Sequence, residues 1–352
     1  MQIFHCDECS AVVFFENDSC LSCGAKLAFL PEVLAVGAVK QDADGLWRSP
    51  RNEAAKAGYR LCRNGLDHQL CNEAIPADSD SPLCRWCQFT EIIPDLSFPE
   101  NLGRWRKLNA AQRRLLYSLT KLDLPLKNRM QDPVNGLGFR FLADTAEQVM
   151  TGHENGVITL NIAEADDAER EGRREQMGER YRTLLGHFRH EVGHYFWDRL
   201  IRDGGRLDAF RERFGDERED YNAALQRHYA QGAPAGWEQT HISRYASMHP
   251  WEDWAETWAH YLHLTAVLET AASCGLSLEP QHHSKPAVDA DDLPDELGEG
   301  SFDQLIRAWL PVTYALNSLN RSIGLNDAYP FVLSAPVIDK LRFIHRVIRS
   351  AS

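Results

Sequence analysis

The sequence predicts an α+β protein, with a small, metal-stabilised β domain in residues 1–97 and a mainly helical domain with a small sheet in residues 98–352. Two observations lead to this prediction. Eight of the nine cysteines lie at or before Cys87, whereas the long segments with helical spacing of apolar residues all follow Pro99. A chain of 352 residues is long enough for two domains, and the longer one can bury a sizeable core.

The first four cysteines form two pairs with the same internal spacing. Two residues separate Cys6 from Cys9 and Cys20 from Cys23, and ten residues lie between the pairs. This spacing is typical of a zinc ribbon, in which four thiolates hold a zinc ion in a tetrahedral site. Such a site has no coordination position left for water, so we expect a structural zinc ion here.

A second set of four cysteines follows, with less regular spacing. Its members are Cys62, Cys71, Cys84 and Cys87. Only the last two have the two-residue spacing of a zinc knuckle, and His5 or His68 could replace one of the thiolates. We therefore expect one or two structural zinc ions in residues 1–97. The remaining cysteine, Cys274, is expected to be a small buried apolar residue.

Disulfide bonds are the alternative use of these cysteines. Residues 1–9 lack the basic segment and apolar run of a secretory signal, which favours the cytoplasm. In that reducing compartment, paired cysteine knuckles indicate metal sites. No apolar run approaches the length of a membrane span, so we expect no membrane contact.

The charge of the chain argues against nucleic acid as a partner. The net charge is -13, and residues 1–100 carry 8 basic against 15 acidic side chains, whereas attraction to phosphate needs the opposite sign. The ribbon is therefore expected to contact a protein partner or a protein substrate. The segment Asn101–Leu122 has the apolar spacing of an amphipathic helix and a basic face. That face could bind an anionic partner, remain solvated, or dock against the acidic remainder of the chain.

The sequence His190-Glu191-Val192-Gly193-His194 lies within Thr183–Ile201, a segment with helical periodicity and no proline. Positions i and i+4 share a helix face, so both imidazoles can reach one metal ion. Glu191 is adjacent to the first of them, where a carboxylate can take a proton from a metal-bound water. His187 lies on the same face and is expected to be a hydrogen-bonded neighbour, although it could contact substrate or replace a ligand.

A later helix can supply the third ligand. Pro250 suits a first helical turn, and Glu252, Glu256, His260 and His263 follow along one polar stripe. We expect Glu252 to complete a His-His-Glu zinc site with water in the fourth position. Glu256, one turn later, would then hydrogen-bond to a ligating imidazole. The reverse assignment of the two glutamates is also open, because either carboxylate can bind zinc.

This pair of helices, with a glutamate from the later one, resembles the zinc site of the gluzincin branch of zinc metallopeptidases. The stretch from Glu252 to Glu256 is similar to the Glu-x-x-Ala-Glu helix of lethal-factor-like peptidases, whose first glutamate binds zinc. In those enzymes a tyrosine seven residues earlier polarises the scissile carbonyl, and Tyr245 stands at this position. An ordinary half-buried tyrosine is the alternative interpretation of Tyr245. Many gluzincins place the third ligand closer than the 58 residues that separate His194 from Glu252, so Arg202–Ile242 is expected to be an insertion that returns to the site.

More closely, the chain resembles bacterial zinc-binding metallopeptidases that carry an N-terminal zinc-ribbon domain. Three stretches carry this resemblance: Thr151–Asp167, Leu184–Trp197 and Ser243–Leu262. It implies a zinc-dependent peptidase that acts on a peptide or protein substrate, with Glu191 and Tyr245 as catalytic residues. The alternative is a non-hydrolytic zinc protein with an interaction or regulatory role. A free carboxylate beside an open coordination position favours hydrolysis.

Five further segments have predictable structure. Val157–Ile162 follows an Asn-Gly turn and is predicted to be a strand, either an edge strand that pairs with substrate or an ordinary sheet strand. Ala165–Arg182, dense in both charge signs, suits a solvated helix. Residues 281–300 are acidic and poor in apolar residues, which predicts a mobile loop. Helical periodicity returns in Phe302–Leu319 and Val337–Ile348.

Overall fold

The computed structural model describes residues 2–52, 58–145, 149–177, 183–279, 287–288, 293 and 301–351. It confirms the predicted α+β organisation: a small β region with two cysteine clusters precedes a mostly helical region with a small sheet. In the part of the chain it describes, no helix has both the length and the apolar character needed to cross a membrane.

The N-terminal region consists of short antiparallel strands. Strand β1 (Phe4–His5) pairs with β2 (Val12–Val13) beside the first cysteine pair, and β3 (Leu27–Leu30) pairs with β4 (Ala35–Ala38). A separate four-stranded sheet contains β5 (Lys40–Gln41), β6 (Trp47–Arg48), β7 (Tyr59–Leu61) and β8 (Ala74–Pro76), in that order. Helix α1 (Arg63–His68) lies between β7 and β8 and begins directly after Cys62.

Helix α2 (Pro99–Lys121) joins the two regions through a shared core. Proline at its first position and a stripe of buried apolar side chains explain why the chain is helical here. On this helix the ring of Tyr117 packs against Phe15 and Phe29 of the ribbon, with centroid distances of 5.3 and 6.4 Å. The Tyr117 hydroxyl donates a hydrogen bond of 2.8 Å to Glu269 in the helical region. The ribbon therefore packs directly against the larger region.

The basic face of α2 is paired with acidic side chains of the chain itself. Arg104 lies 2.8 Å from Asp166, and Lys107 lies 3.1 Å from Asp167. Arg114 forms an ion pair of 2.6 Å with Glu16 of the ribbon. This face therefore docks in part against the acidic remainder while its cations stay partly solvated, and binding of an anionic partner stays a prediction.

The sheet of the larger region has the order β11-β12-β10-β9. Its strands are β9 (Thr90–Ile92), β10 (Gly138–Leu142), β11 (Gly152–Glu154) and β12 (Val157–Asn161). Strands β9, β10 and β12 are parallel, and β11 is antiparallel at the edge. The edge position suggested for Val157–Ile162 is therefore wrong, because β12 is an interior strand. Periodicity identified it as a strand but could not reveal its neighbours.

The Asn-Gly turn between β11 and β12 has the expected geometry. Asn155 and Gly156 have φ values of 48° and 84°, which suit a tight hairpin turn. Strand β9 precedes residue 98 yet pairs with β10, so the second sheet takes one strand from the N-terminal segment. The proposed division of the chain at residues 97 and 98 stays a prediction.

Helices form most of the larger region. In chain order they are α3 (Asp167–Met177), α4 (Leu184–Phe196), α5 (Leu207–Phe214), α6 (Tyr221–Gln231), α7 (Pro250–Ser273), α8 (Phe302–Ser322) and α9 (Ala335–Arg349). Helix α4 continues into a π-helical segment, Trp197–Arg202. Helix α7 is buried along most of its length, between α4 on one side and α8 and α9 on another. The predicted helices therefore exist, with bounds that differ by a few residues.

Two predicted segments are only partly described. Of the acidic segment 281–300, only residues 287–288 and 293 are described, and residues 178–182 of the charged helix lie outside the described residues. Cys274, expected to be buried, is exposed, because it caps the C-terminal end of α7 at the surface.

Candidate metal centre

The candidate centre lies where α4 crosses α7. Gly193 allows this close approach: a Cβ atom there would lie 3.0 Å from the Ala255 Cα and 3.3 Å from the Trp258 Cβ. The indole nitrogen of Trp254 donates a hydrogen bond of 2.8 Å to the Gly193 carbonyl. The small residues Gly193 and Ala255 thus bring the histidine face of α4 against the first turn of α7.

Three donor atoms meet at this crossing. The Nε2 atoms of His190 and His194 are 3.2 Å apart, and Oε2 of Glu252 lies 3.0 and 3.5 Å from them. In a tetrahedral zinc site with bonds of about 2.0–2.1 Å, neighbouring donor atoms are about 3.3–3.4 Å apart. Buried Glu252 Oε2 has no hydrogen-bond partner among the described residues, so the donor set fits a zinc ion.

Glu256 contacts the opposite nitrogen of His190. Its Oε1 lies 2.7 Å from His190 Nδ1, and its Oε2 accepts a hydrogen bond of 2.6 Å from the Ser243 hydroxyl. A carboxylate at Nδ1 holds the proton there and leaves the Nε2 lone pair free for a metal. This geometry matches the assignment of Glu252 as ligand, because both Glu256 oxygens have partners and Glu256 is not in the group of converging donors.

Aromatic stacking orients the second histidine. The ring of Trp251 lies over His194 at a centroid distance of 3.8 Å. The ring of His153 in β11 is nearly parallel to the His194 ring, with centroids 6.4 Å apart, and its Nε2 accepts a hydrogen bond from the Gly156 amide. Residue spacing does not distinguish His153, because only the hairpin of β11 and β12 brings it to the site.

The second oxygen of Glu252 is bound by a residue that the sequence reasoning missed. The Tyr221 hydroxyl donates a hydrogen bond of 2.8 Å to Glu252 Oε1. Tyr221 is the first residue of α6 and lies within Arg202–Ile242, the stretch expected to return to the site. No spacing motif marks a tyrosine at a helix start, so only the folded path of this stretch reveals it.

Glu191 and Tyr245 also lie beside the three converging atoms. Burial raises the pKa of the Glu191 carboxyl, and its electrostatic interactions with the neighbouring imidazoles partly oppose this shift. The Glu191 carboxylate has no hydrogen-bond partner among the described residues. The half-buried ring of Tyr245 lies 5.9 Å from that of His190, and burial raises the pKa of its phenol. One carboxylate and one neutral hydroxyl group thus lie at the site, and the Tyr245 phenol also interacts with Tyr221.

The other histidines near the motif have different partners. His187 Nδ1 lies 3.4 Å from Oε2 of buried Glu164, which is an ion-pair distance and not a hydrogen bond, so its role as a hydrogen-bonded neighbour stays a prediction. His260 contacts the Tyr329 hydroxyl at 2.8 Å, and His263 contacts Arg189. In the described part of the chain, none of the three joins the group that could hold a metal.

The cysteines form two four-membered clusters in the predicted combinations. Sulfur atoms are 3.7 Å apart for Cys6 and Cys23 and 3.6 Å apart for Cys9 and Cys20. A zinc ion with four Zn–S bonds of about 2.3 Å separates sulfurs by about 3.8 Å. A disulfide needs about 2.05 Å, so the free thiols fit zinc and not disulfide bonds.

The second cluster has the same spacing and a cationic neighbour. Cys71 and Cys87 have sulfurs 3.7 Å apart, and the amide of Cys84 donates to Cys62 Sγ at 3.3 Å. Arg113 of α2 is only 3% exposed and lies near these thiols, which raise the pKa of its guanidinium although burial alone would lower it. Four thiolates around one divalent zinc carry two net negative charges, so a buried cation beside them is electrostatically favourable. Neither His5 nor His68 belongs to either cluster.

A helix with His-Glu-x-x-His, completed by a glutamate from a later helix, defines the metallopeptidase class of zinc site. The chain belongs to the family described as "Putative zinc-binding metallo-peptidase", whose model matches residues 101–347. A second family model, described as a zinc-ribbon domain, matches residues 3–98. The closer of the two resemblances, to zinc-binding metallopeptidases with an N-terminal zinc ribbon, is thereby confirmed, whereas the resemblance to the gluzincin branch stays a prediction.

The chain is also similar to mycobacterial proteins over nearly its full length. It is 45% identical to an uncharacterized protein of Mycobacterium bovis, over 99% of this chain and 95% of that protein. Uncharacterized proteins of two Mycobacterium tuberculosis strains share the same identity and coverage. No solved structure matches the chain significantly.

Proposed function

We propose that the chain is a zinc-dependent peptidase that hydrolyses peptide bonds, with zinc held by His190, His194 and Glu252. The observation that carries this proposal is the three-membered donor set: no fourth His, Cys, Asp or Glu of the described chain joins it. A structural zinc site uses four protein ligands, whereas a catalytic site uses three. Both cysteine clusters have four members, so the contrast exists within one chain.

When bound in such a site, zinc supplies Lewis acidity and lowers the pKa of water to about 7. Glu191 takes the proton of the attacking water, because its carboxylate is next to His190 and has no other described hydrogen-bond partner. The same carboxyl group then delivers the proton to the leaving amine. The Tyr245 hydroxyl remains protonated in its buried position and donates to the developing oxyanion.

The sheet supports a peptide as the substrate. Strand β11 lies at one edge of the sheet, opposite β9, and packs against α4, the helix that carries both histidines. An edge strand has unpaired amide and carbonyl groups that can pair with an extended peptide. We infer that substrate binds along Gly152–Glu154, in place of the role first considered for Val157–Ile162.

We further propose the number of zinc ions and the cellular compartment. Each cysteine cluster holds one structural zinc ion, so the fully zinc-loaded chain contains three. The protein acts in the cytoplasm, and the ribbon contacts a protein substrate or partner. Nucleic acid is disfavoured because the ribbon segment is acidic.

The test compares the zinc-loaded protein with its Glu191→Gln variant. Both are incubated with a cell-lysate proteome, and new peptide termini are identified by mass spectrometry. The proposal expects new termini with the wild type and none with the variant, while zinc content stays equal. Identical cleavage profiles would instead favour the alternative, a non-hydrolytic zinc protein that mediates interaction or regulation.

A further inference from the structure

Tyr221 lies at the point where a distant part of the chain meets the candidate ligand Glu252. Its hydroxyl donates 2.8 Å to Glu252 Oε1, while Oε2 of the same carboxylate faces the two histidines. Glu252 is only 2% exposed, so water cannot replace this donor freely. The hydrogen bond therefore fixes the rotation of the carboxylate.

The backbone before Tyr221 is anchored to the start of α7. Asp220 caps α6 by accepting a 3.0 Å hydrogen bond from the Ala223 amide. His249 caps α7 by accepting a bond from the Trp251 amide through Nδ1, and its Nε2 donates to the Glu219 carbonyl at 3.1 Å. The beginnings of α6 and α7 are thus bonded to each other.

Ring contacts strengthen this junction. The ring of Tyr221 makes edge contacts with His249 at 5.3 Å and with Trp251 at 6.2 Å. Trp251 in turn stacks on His194. One tyrosine therefore supports two of the three donor groups, Glu252 by its hydroxyl and His194 through Trp251.

We propose that Tyr221 is a positioning residue, which holds Glu252 so that a single carboxylate oxygen meets the metal. The stretch 202–242 is then part of the metal centre and not a neutral insertion. This inference rests on the proposed function for the identity of the site. Its closing experiment measures zinc affinity, so it can fail while hydrolysis stands. Groups that orient metal ligands contribute about 10–100-fold to metal affinity.

The test is the full-length Tyr221→Phe variant, which removes the hydroxyl and keeps the ring contacts. The matched control is Tyr229→Phe on the same helix, since Tyr229 is 63% exposed and does not bind Glu252. Zn²⁺ is titrated into each protein in competition with a chromophoric chelator. A double variant, His190→Ala with His194→Ala, measures the zinc that the cysteine clusters alone retain. We expect about 10–100-fold weaker zinc binding at the third site for Tyr221→Phe only.

Two comparisons separate positioning from other roles. Tyr245→Phe is expected to lower turnover while keeping wild-type zinc affinity, the reverse of the primary defect of Tyr221→Phe. Equal zinc affinity in Tyr221→Phe and wild type would overturn the proposal. If Tyr221→Phe does not fold, Asp220→Ala is the second variant, because it keeps the Tyr221 hydroxyl but removes the α6 cap. This variant should bind zinc more weakly than Tyr229→Phe. Unchanged zinc affinity would likewise overturn the proposal.

Discussion

The substitution Gly193→Ala tests whether the contact between α4 and α7 sets the geometry of the metal centre. The added Cβ would lie 3.0 Å from the Ala255 Cα and 3.3 Å from both the Ala255 carbonyl oxygen and the Trp258 Cβ. Two of these three atoms belong to the α7 backbone, which cannot move out of the way like a flexible side chain. The helices must therefore separate by a few tenths of an ångström.

The effects on stability and on zinc binding differ in size. Alanine stabilises a helix interior by about 1 kcal/mol relative to glycine, whereas overpacking costs about 1–3 kcal/mol. The free energy of unfolding should therefore change by roughly 0–2 kcal/mol toward lower stability. Metal sites tolerate only about 0.2 Å in ligand distance, so displacement of Glu252 from the histidines should weaken zinc binding at least about tenfold.

Gly103→Ala is the matched control. Gly103 lies within α2, and a Cβ there would meet no atom within 4 Å. We expect a gain of about 0.5–1 kcal/mol in stability and unchanged zinc affinity. Urea unfolding and chelator competition measure both quantities. If Gly193→Ala gained stability like the control and kept wild-type zinc affinity, the close helix contact would not define the site.

Three further predictions concern acid stability, the second cysteine cluster and the hydroxyl donor. Burial lowers the pKa of His260 to about 4, whereas an unfolded histidine has a pKa of about 6.5. The unfolded state thus binds an extra proton as the pH falls from 6.5 to 4. Over this range the free energy of unfolding, measured with urea, should fall by about 3 kcal/mol more in wild type than in His260→Gln. Parallel pH curves for the two proteins would refute this. Cys84→Ser should lower the zinc content by one ion per chain. It should also destabilise both regions together by about 3–5 kcal/mol, because it removes a thiolate beside buried Arg113. An unchanged calorimetric transition of the larger region would contradict this. Tyr245→Phe should lower kcat by about 10²–10³ at unchanged zinc affinity, and equal kcat would exclude Tyr245 as an oxyanion donor.

The sequence was most informative where chemistry requires close spacing. Both cysteine clusters and the pair His190 and His194 could be identified because each ligand set, or most of it, is local in the chain. Glu252 could be included because Pro250 and the aromatic residues around it indicate a helix start with a buried side.

Other parts of the site depend on the path of the chain in three dimensions. Tyr221 meets Glu252 only because α6 folds back onto the start of α7. His153 reaches the site through the pairing of β11 with β12, and alternation of residues does not fix the order of strands in a sheet. The same limit explains why the sequence leaves open whether β12 is an edge strand or an ordinary strand of the sheet.

The depth of the shared core was also beyond sequence patterns. Arg113 looked like one more charge on a basic helix face, yet it lies over the Phe15 ring at 5.0 Å and is buried. The residues that surround the Arg113 side chain lie some 30 to 100 positions away in the sequence. Only the packing of α2 against the ribbon distinguishes it from Arg104 and Arg114, which form ion pairs near the surface.

Anomalous diffraction at the zinc edge from crystals of the purified protein tests the central claim most directly. We expect three peaks, one within each cysteine cluster and one about 2.0–2.1 Å from His190 Nε2, His194 Nε2 and a Glu252 oxygen, with no fourth protein atom bound to the last. The absence of this third peak, or a fourth side chain coordinated to it, would contradict the account.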